Sequence, residues 1–193
     1  FTNPYALGFF APMAFEGDGR RFAQAFCIYE GGLFPESFNG SIVAPNSLHN
    51  VVWNSQRIPV GSTYRTVDEA NLVETDDRWF RPVYGGVGPD GGIYLADWYD
   101  SRLSHVSPSD DWHKESGRIY RISPSSSTPT YSGGDLEKLS SQSLMQQFRH
   151  PNKWVRQRSA MVLGWRKDNS VVDELRDLVD NGSLEALWSV HLM

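Results

Sequence analysis

The sequence predicts a mixed fold, mainly β in its first part and α thereafter. Three observations carry this. Aromatics make up 13% of the 193 residues and are joined by 17 Gly and 11 Pro, a composition suited to short strands and turns. Before about residue 124 the apolar runs are short and broken by Gly, Pro, Asn and Asp. After the Ser-, Pro-, Thr- and Gly-rich stretch from Ser123 to Gly134 the apolar spacing becomes helical, with almost no internal Gly or Pro.

The β-branched and aromatic runs place strands at 21–29, 41–44, 51–57, 63–67, 83–87, 93–97 and 118–123. Asn39-Gly40 and Pro89-Asp90-Gly91-Gly92 are turn signals, because Gly and Asn tolerate positive φ and Pro presets a negative φ at the turn's second position. An internal repeat is present. Gly40-Ser41-Ile42-Val43-Ala44-Pro45-Asn46 aligns with Gly91-Gly92-Ile93-Tyr94-Leu95-Ala96-Asp97, 51 residues later. That offset is near the ~40–50 residues of a propeller blade, and a blade is a four-stranded meander. The first blade then has four strands and ends near Val73. The second has three, and its fourth is expected from an N-terminal region outside the chain.

Helices are predicted at 140–148, 153–165, 171–180 and 184–192. Trp154, Val155, Arg158, Met161, Val162 and Trp165 fall at helical spacings, Pro151 suits a first helical turn, and Asn181-Gly182 suits a helix stop. Short antiparallel pairs of this kind bury their apolar faces by stacking, as in an α-solenoid. Arg156 and Arg166 are expected on solvated faces or paired with acids of adjacent helices. The domain division is residues 1–123 for the incomplete propeller, 124–138 for a linker and 139–193 for the start of the solenoid. The chain opens on Phe1 and stops at Met193 within a helical pattern, so both ends read as cuts through a longer polypeptide.

The net charge is −5 and the pI about 5.5, with no basic stripe to neutralise phosphates, which argues against nucleic acid or an anionic membrane as partner. Cys27 stands alone, so there is no internal disulfide, cysteine-built zinc site or haem attachment motif. No leader or membrane-spanning run is present. There is no Walker loop, GxSxG or HExxH, and the glycines at 85, 86 and 88 open no helix, so they make no dinucleotide fingerprint. Asn39-Gly40-Ser41 and Asn181-Gly182-Ser183 match the glycosylation sequon but read better as turns.

The segments Trp79-Phe80-Arg81-Pro82-Val83, Val87-Gly88-Pro89-Asp90-Gly91-Gly92-Ile93-Tyr94-Leu95-Ala96-Asp97-Trp98-Tyr99 and Gly117-Arg118-Ile119-Tyr120-Arg121-Ile122 resemble the last blade of a bacterial family named for membrane-bound dehydrogenases. That family is related to the soluble quinoprotein glucose/sorbosone dehydrogenases. Phe34-Pro35-Glu36 with Asn39-Gly40-Ser41-Ile42 resembles its preceding blade. His150-Pro151-Asn152-Lys153-Trp154-Val155-Arg156 and Leu184-Glu185-Ala186-Leu187-Trp188 resemble the HEAT-like repeats that follow. The resemblance implies the last blades of a β-propeller followed by HEAT-like helices, an extracytoplasmic or periplasmic location, PQQ and Ca²⁺ as cofactors, and a cytochrome c domain with haem c beyond the chain.

A blade meander brings residues 74–82 and 98–117 to one end of the second sheet, where propeller ligands bind, and the 89–92 turn to the other. Arg81 matches in part an Arg-Asn-Pro motif of the quinoprotein relatives, which implies a clamp on a quinone carboxylate. Alternatively it pairs with Asp76, Asp77 or Asp97 and holds the blades together. Asp97 either ligates Ca²⁺, orients Arg81, or caps the strand end as Asn46 does in the earlier repeat. The long insertion from Asp100 to Ser116 carries His105 and His113, each a candidate general base for alcohol oxidation or a surface histidine. Family members often carry a His before Gly-Arg-Ile-Tyr, where this chain has Ser116. Trp53, Trp79, Trp98, Trp154, Trp165 and Trp188 are expected in cores or blade packing.

Two functions follow. One is part of a PQQ-dependent sugar or alcohol dehydrogenase passing electrons to a cytochrome c, inactive as this fragment alone. The other is a non-catalytic propeller and helical module recognising a carbohydrate or protein.

Overall fold

The computed structural model describes residues 25–101 and 113–193. Two antiparallel sheets come first and helices follow.

Sheet A is a meander of β1 (Cys27–Ile28), β2 (Ile42–Asn46), β3 (Val51–Val60) and β4 (Thr63–Asp68), with β5 (Val73–Glu74) also on β3. β4 pairs with the far half of β3 and β5 with Val51 and Val52. Between them Glu69 and Leu72 donate to the carbonyls of Asn54 and Val52 at 3.0 and 2.8 Å. β4 and β5 are thus one interrupted strand, a link that Asp68, Glu69 and Asn71 hide from a reading of apolar runs. The expected strand at 21–29 is present as Cys27–Ile28, and residues 21–24 of it lie outside the described residues. Asn50, at φ 54°, turns the chain between β2 and β3, a conformation Asn tolerates better than most side chains.

Sheet B is β6 (Pro82–Val87), β7 (Ile93–Asp97) and β8 (Arg118–Ile122), in that order. Gly91, at φ 85°, closes the β6–β7 turn, and Asp90 Oδ1 accepts the Gly92 N–H at 3.1 Å. The sheets share one core of Tyr29, Val43, Val52, Phe80, Ile93 and Leu95, all buried. Tyr29 fastens them: its hydroxyl donates to the Gly91 carbonyl at 2.9 Å and accepts from the N–H groups of Leu33 and Phe34. Gly31 lets the backbones meet there, since a Cβ would lie 2.8 Å from the Gly91 oxygen.

The helices are α1 (Ser141–Gln146), which tightens into a 3₁₀ turn over Gln147–Arg149, α2 (Lys153–Arg166), α3 (Val172–Asp180) and α4 (Leu184–Leu192). Ser140, Asn152 and Ser183 cap α1, α2 and α4 with side-chain oxygens, satisfying N–H groups the helix leaves orphaned. Pro151 precedes the α2 cap rather than occupying the first turn, because Asn152 supplies the capping oxygen. Gly182, at φ 86°, ends α3 as expected. Arg156 pairs with Glu185 of α4 at 3.0 Å, and Arg166 donates to the Glu137 carbonyl. α2 meets α4 at Gly164, where a Cβ would come within 2.5 Å of the Leu192 Cβ.

The aromatic expectation needs correction. Trp53 is buried, but Trp98, Trp154, Trp165 and Trp188 are exposed. On α2 the buried face is Val155, Ser159, Ala160, Val162 and Leu163; Trp154, Met161 and Trp165 belong to the adjoining stripe.

The 124–138 segment is fastened at several points. The Thr130 N–H donates to the Asp90 carbonyl at 2.9 Å, His150 Nε2 lies 3.0 Å from the Thr130 carbonyl, and Leu136 is buried in the helical core. Among the described residues no helix is long and apolar enough to cross a membrane.

Candidate functional site

Pro82 pairs with Asp97, and Asp97 with Arg118. The segment before β6 and the β7–β8 connection therefore emerge at one end of sheet B, as the meander argument requires, and the 88–92 turn lies at the other. The Trp98 N–H donates to the Arg81 carbonyl at 2.9 Å and closes this end.

Arg81 and Asp97 are brought together. Asp97, 3% exposed, accepts with one oxygen, Oδ1, from the N–H groups of Arg81 at 2.7 Å and Tyr99 at 2.9 Å. Its Oδ2 is buried without a hydrogen-bond partner. Arg81, 6% exposed, donates from Nη1 to the Phe80 carbonyl at 3.1 Å, and its Nε is also unpartnered. Burial pulls the guanidinium below its usual pKa, against the opposing charges of Asp100, Asp97 and Asp77. Unpaired buried polar atoms are costly, about 1–3 kcal/mol each, so each calls for a physical reason, a bound water, ion or ligand among them.

Asp100, fully buried, accepts the His113 N–H at 3.2 Å. The His113 ring sits 4.2 Å from Trp79, which is 5.7 Å from Tyr99. The Arg118 guanidinium lies 3.3 Å over the Tyr99 ring, a cation–π contact. Tyr99 has φ 48°, a strained state for an aromatic residue of a kind common at functional sites. A cleft of about 410 Å³ opens here, lined by Asp97, Trp98, Asp100, His113, Lys114 and others. Asn50 reaches across from sheet A, its amide donating to the Phe80 carbonyl at 2.5 Å.

His113 thus packs against Trp79 at the mouth, and His105 lies outside the described residues. Among the described residues no group of three or more His, Cys, Asp or Glu side chains is arranged to hold a metal ion. The sequence reading missed Tyr99, Asp100 as a buried acid, and Arg118. The signal for Asp100 was its place three residues beyond Asp97, where a chain leaving a strand end can fold back over it.

No curated protein and no solved structure matches the chain. A family model does match, over residues 18–126, which span both sheets. The chain therefore belongs to the family described as a domain of unknown function, DUF7133.

Proposed function

We propose that sheets A and B are consecutive blades of a β-propeller leading into HEAT-like helices, and that the end of sheet B formed by residues 97–100 and 113–117, with Trp79 packed against His113, lines a mouth for a sugar or similar polyol. One observation carries the reading: Asp97, buried with an unpartnered oxygen and bonded to the Arg81 N–H behind it, lines a cleft together with Trp98 and His113. Carboxylate and ammonium groups such as Asp97 and Lys114 accept from and donate to hydroxyls, and an indole covers the C–H face of a pyranose.

The placement of Arg81 at the head of β6 favours a second reading, the quinone-dependent dehydrogenase implied by resemblance. An anionic quinone does not fit the described residues, however. A polycarboxylate in this cleft would meet two carboxylates, Asp97 and Asp100, against the one ammonium of Lys114. An oxidoreductase of this kind would need other residues to carry its cofactor.

Calorimetric titration with glucose, sorbitol and cellobiose tests the mouth. Saturable heat that falls at least tenfold in Trp98→Ala, with the circular dichroism unchanged, supports it; heat indifferent to that substitution contradicts it. PQQ- and Ca²⁺-dependent dye reduction over the same panel separates oxidation from binding.

A further inference from the structure

Trp154, Gln157, Arg158 and Met161 stand at i, i+3, i+4 and i+7 and so form one stripe of α2. A stripe at this spacing ordinarily packs against a neighbour, yet Trp154 remains 38% and Met161 37% exposed. They line a cleft of about 670 Å³ whose other walls are Pro89 and Asp90 of the β6–β7 turn and the 131–136 segment. That volume lies within the ~300–1,000 Å³ of small-ligand sites. The cleft is at the opposite end of sheet B from the mouth and shares no lining residue with it.

The walls are held in place. Asn152 donates to the carbonyls of Gly88 and Pro89, both at 2.9 Å, and to Thr130 Oγ1 at 3.3 Å. Arg158 donates to Glu137 Oε1 at 2.5 Å and lies 5.2 Å over the Trp165 ring. Asp135 caps the 3₁₀ turn Leu136–Lys138 through Oδ1, which accepts the Glu137 N–H at 2.9 Å. One polar group in the wall is left over: the Tyr131 hydroxyl is buried with no partner.

We propose that this cleft binds a neutral saccharide unit, its C–H face on the Trp154 indole and its hydroxyls toward Gln157 and Asp135. The charges in the walls are largely balanced within the protein, Asp90 by Arg121 at 2.6 Å and Arg158 by Glu137, so a strongly charged ligand has little to pair with. An exposed indole beside amide and carboxylate groups suits a molecule that is apolar on one face and rich in hydroxyls at its rim.

The test is calorimetric titration of the protein with trehalose, maltose and lactose at about 10 mM, enough to fill a site of about 1 mM dissociation constant. At least one disaccharide binds saturably, and Trp154→Ala and Gln157→Ala each weaken it tenfold or more while the circular dichroism and Trp188→Ala binding stay as in the wild type. Trp98→Ala, in the mouth, leaves this binding in place. No saturable heat from any of the three sugars overturns the proposal. So does binding that survives both cleft substitutions, or that only Trp98→Ala removes.

Discussion

Asn152 and Gly88, 64 positions apart in sequence, are joined by a 2.9 Å hydrogen bond from the Asn152 amide to the Gly88 carbonyl. The same side chain caps α2 by accepting the Trp154 N–H and donates to Pro89 as well. One fully buried residue thus starts a helix and ties it to the tip of sheet B. Asn152→Ala loses a cap worth about 0.5–2 kcal/mol and takes the Asn152 donor from the Pro89 carbonyl at about 1–3 kcal/mol, while the Gly88 carbonyl keeps the Gly91 N–H at 3.0 Å. Urea unfolding is expected to show a loss of about 2–4 kcal/mol.

The contact between the sheets is equally local. Gly31→Ala would drive a methyl to 2.8 Å from the Gly91 oxygen and from Val87 Cγ1, an overpacking expected to cost about 1–3 kcal/mol or more. Gly134→Ala, at φ 80° but in open space, is expected to cost only the backbone term of about 1–2 kcal/mol. Thermal unfolding of the two variants compares them directly, and Gly31→Ala is the less stable.

Burial pushes the Cys27 thiol up to about 11, so only about a thousandth is thiolate at pH 8. The native protein is expected to react with a disulfide reagent far more slowly than the same protein in denaturant, and its native rate to climb steeply above pH 9.

Asp90 supplies an acid dependence. Burial raises its carboxyl pKa, but the Arg121 guanidinium, the Gly92 N–H, and the Tyr94 hydroxyl outweigh this and hold it below its ordinary 3.8. A folded-state pKa below the unfolded one gives stability that is present above the unfolded value and lost as pH falls through the folded value. Between about pH 5 and about pH 2 the wild type therefore loses more stability than Asp90→Asn, measured as the difference in Tm at each pH.

Tyr131→Phe removes a buried hydroxyl that has no partner. Its Tm is expected to equal or exceed that of the wild type, since deleting an unsatisfied polar group removes a desolvation cost.

The strands and helices were legible because apolar period and turn residues are local signals. The repeat was legible too. Asn46 Oδ1 accepts from the N–H groups of Leu48 and His49, and Asp97 Oδ1 from those of Tyr99 and Arg81, so the aligned residues do the same work at the ends of β2 and β7. The joints were not legible. Tyr29 to Gly91 and Asn152 to Gly88 bridge 62 and 64 positions, and no periodicity records such a pairing. The exposed Trp residues of α2 misled for a related reason: the spacing defines a stripe but does not say which stripe faces a neighbour. At the candidate site, Arg81 and Asp97 were found because they flank paired strands; Asp100 and Tyr99 depend on the path of the chain after the strand ends.

Hydrogen exchange of the protein with and without a saturating sugar from the glucose, sorbitol and cellobiose panel tests the mouth most directly. The account predicts slowed exchange in both 75–81 and 98–101, extending to 113–117, because the two segments flank one ligand. Protection that spares both segments, or that appears only at 131–136 and 154–161, would contradict it.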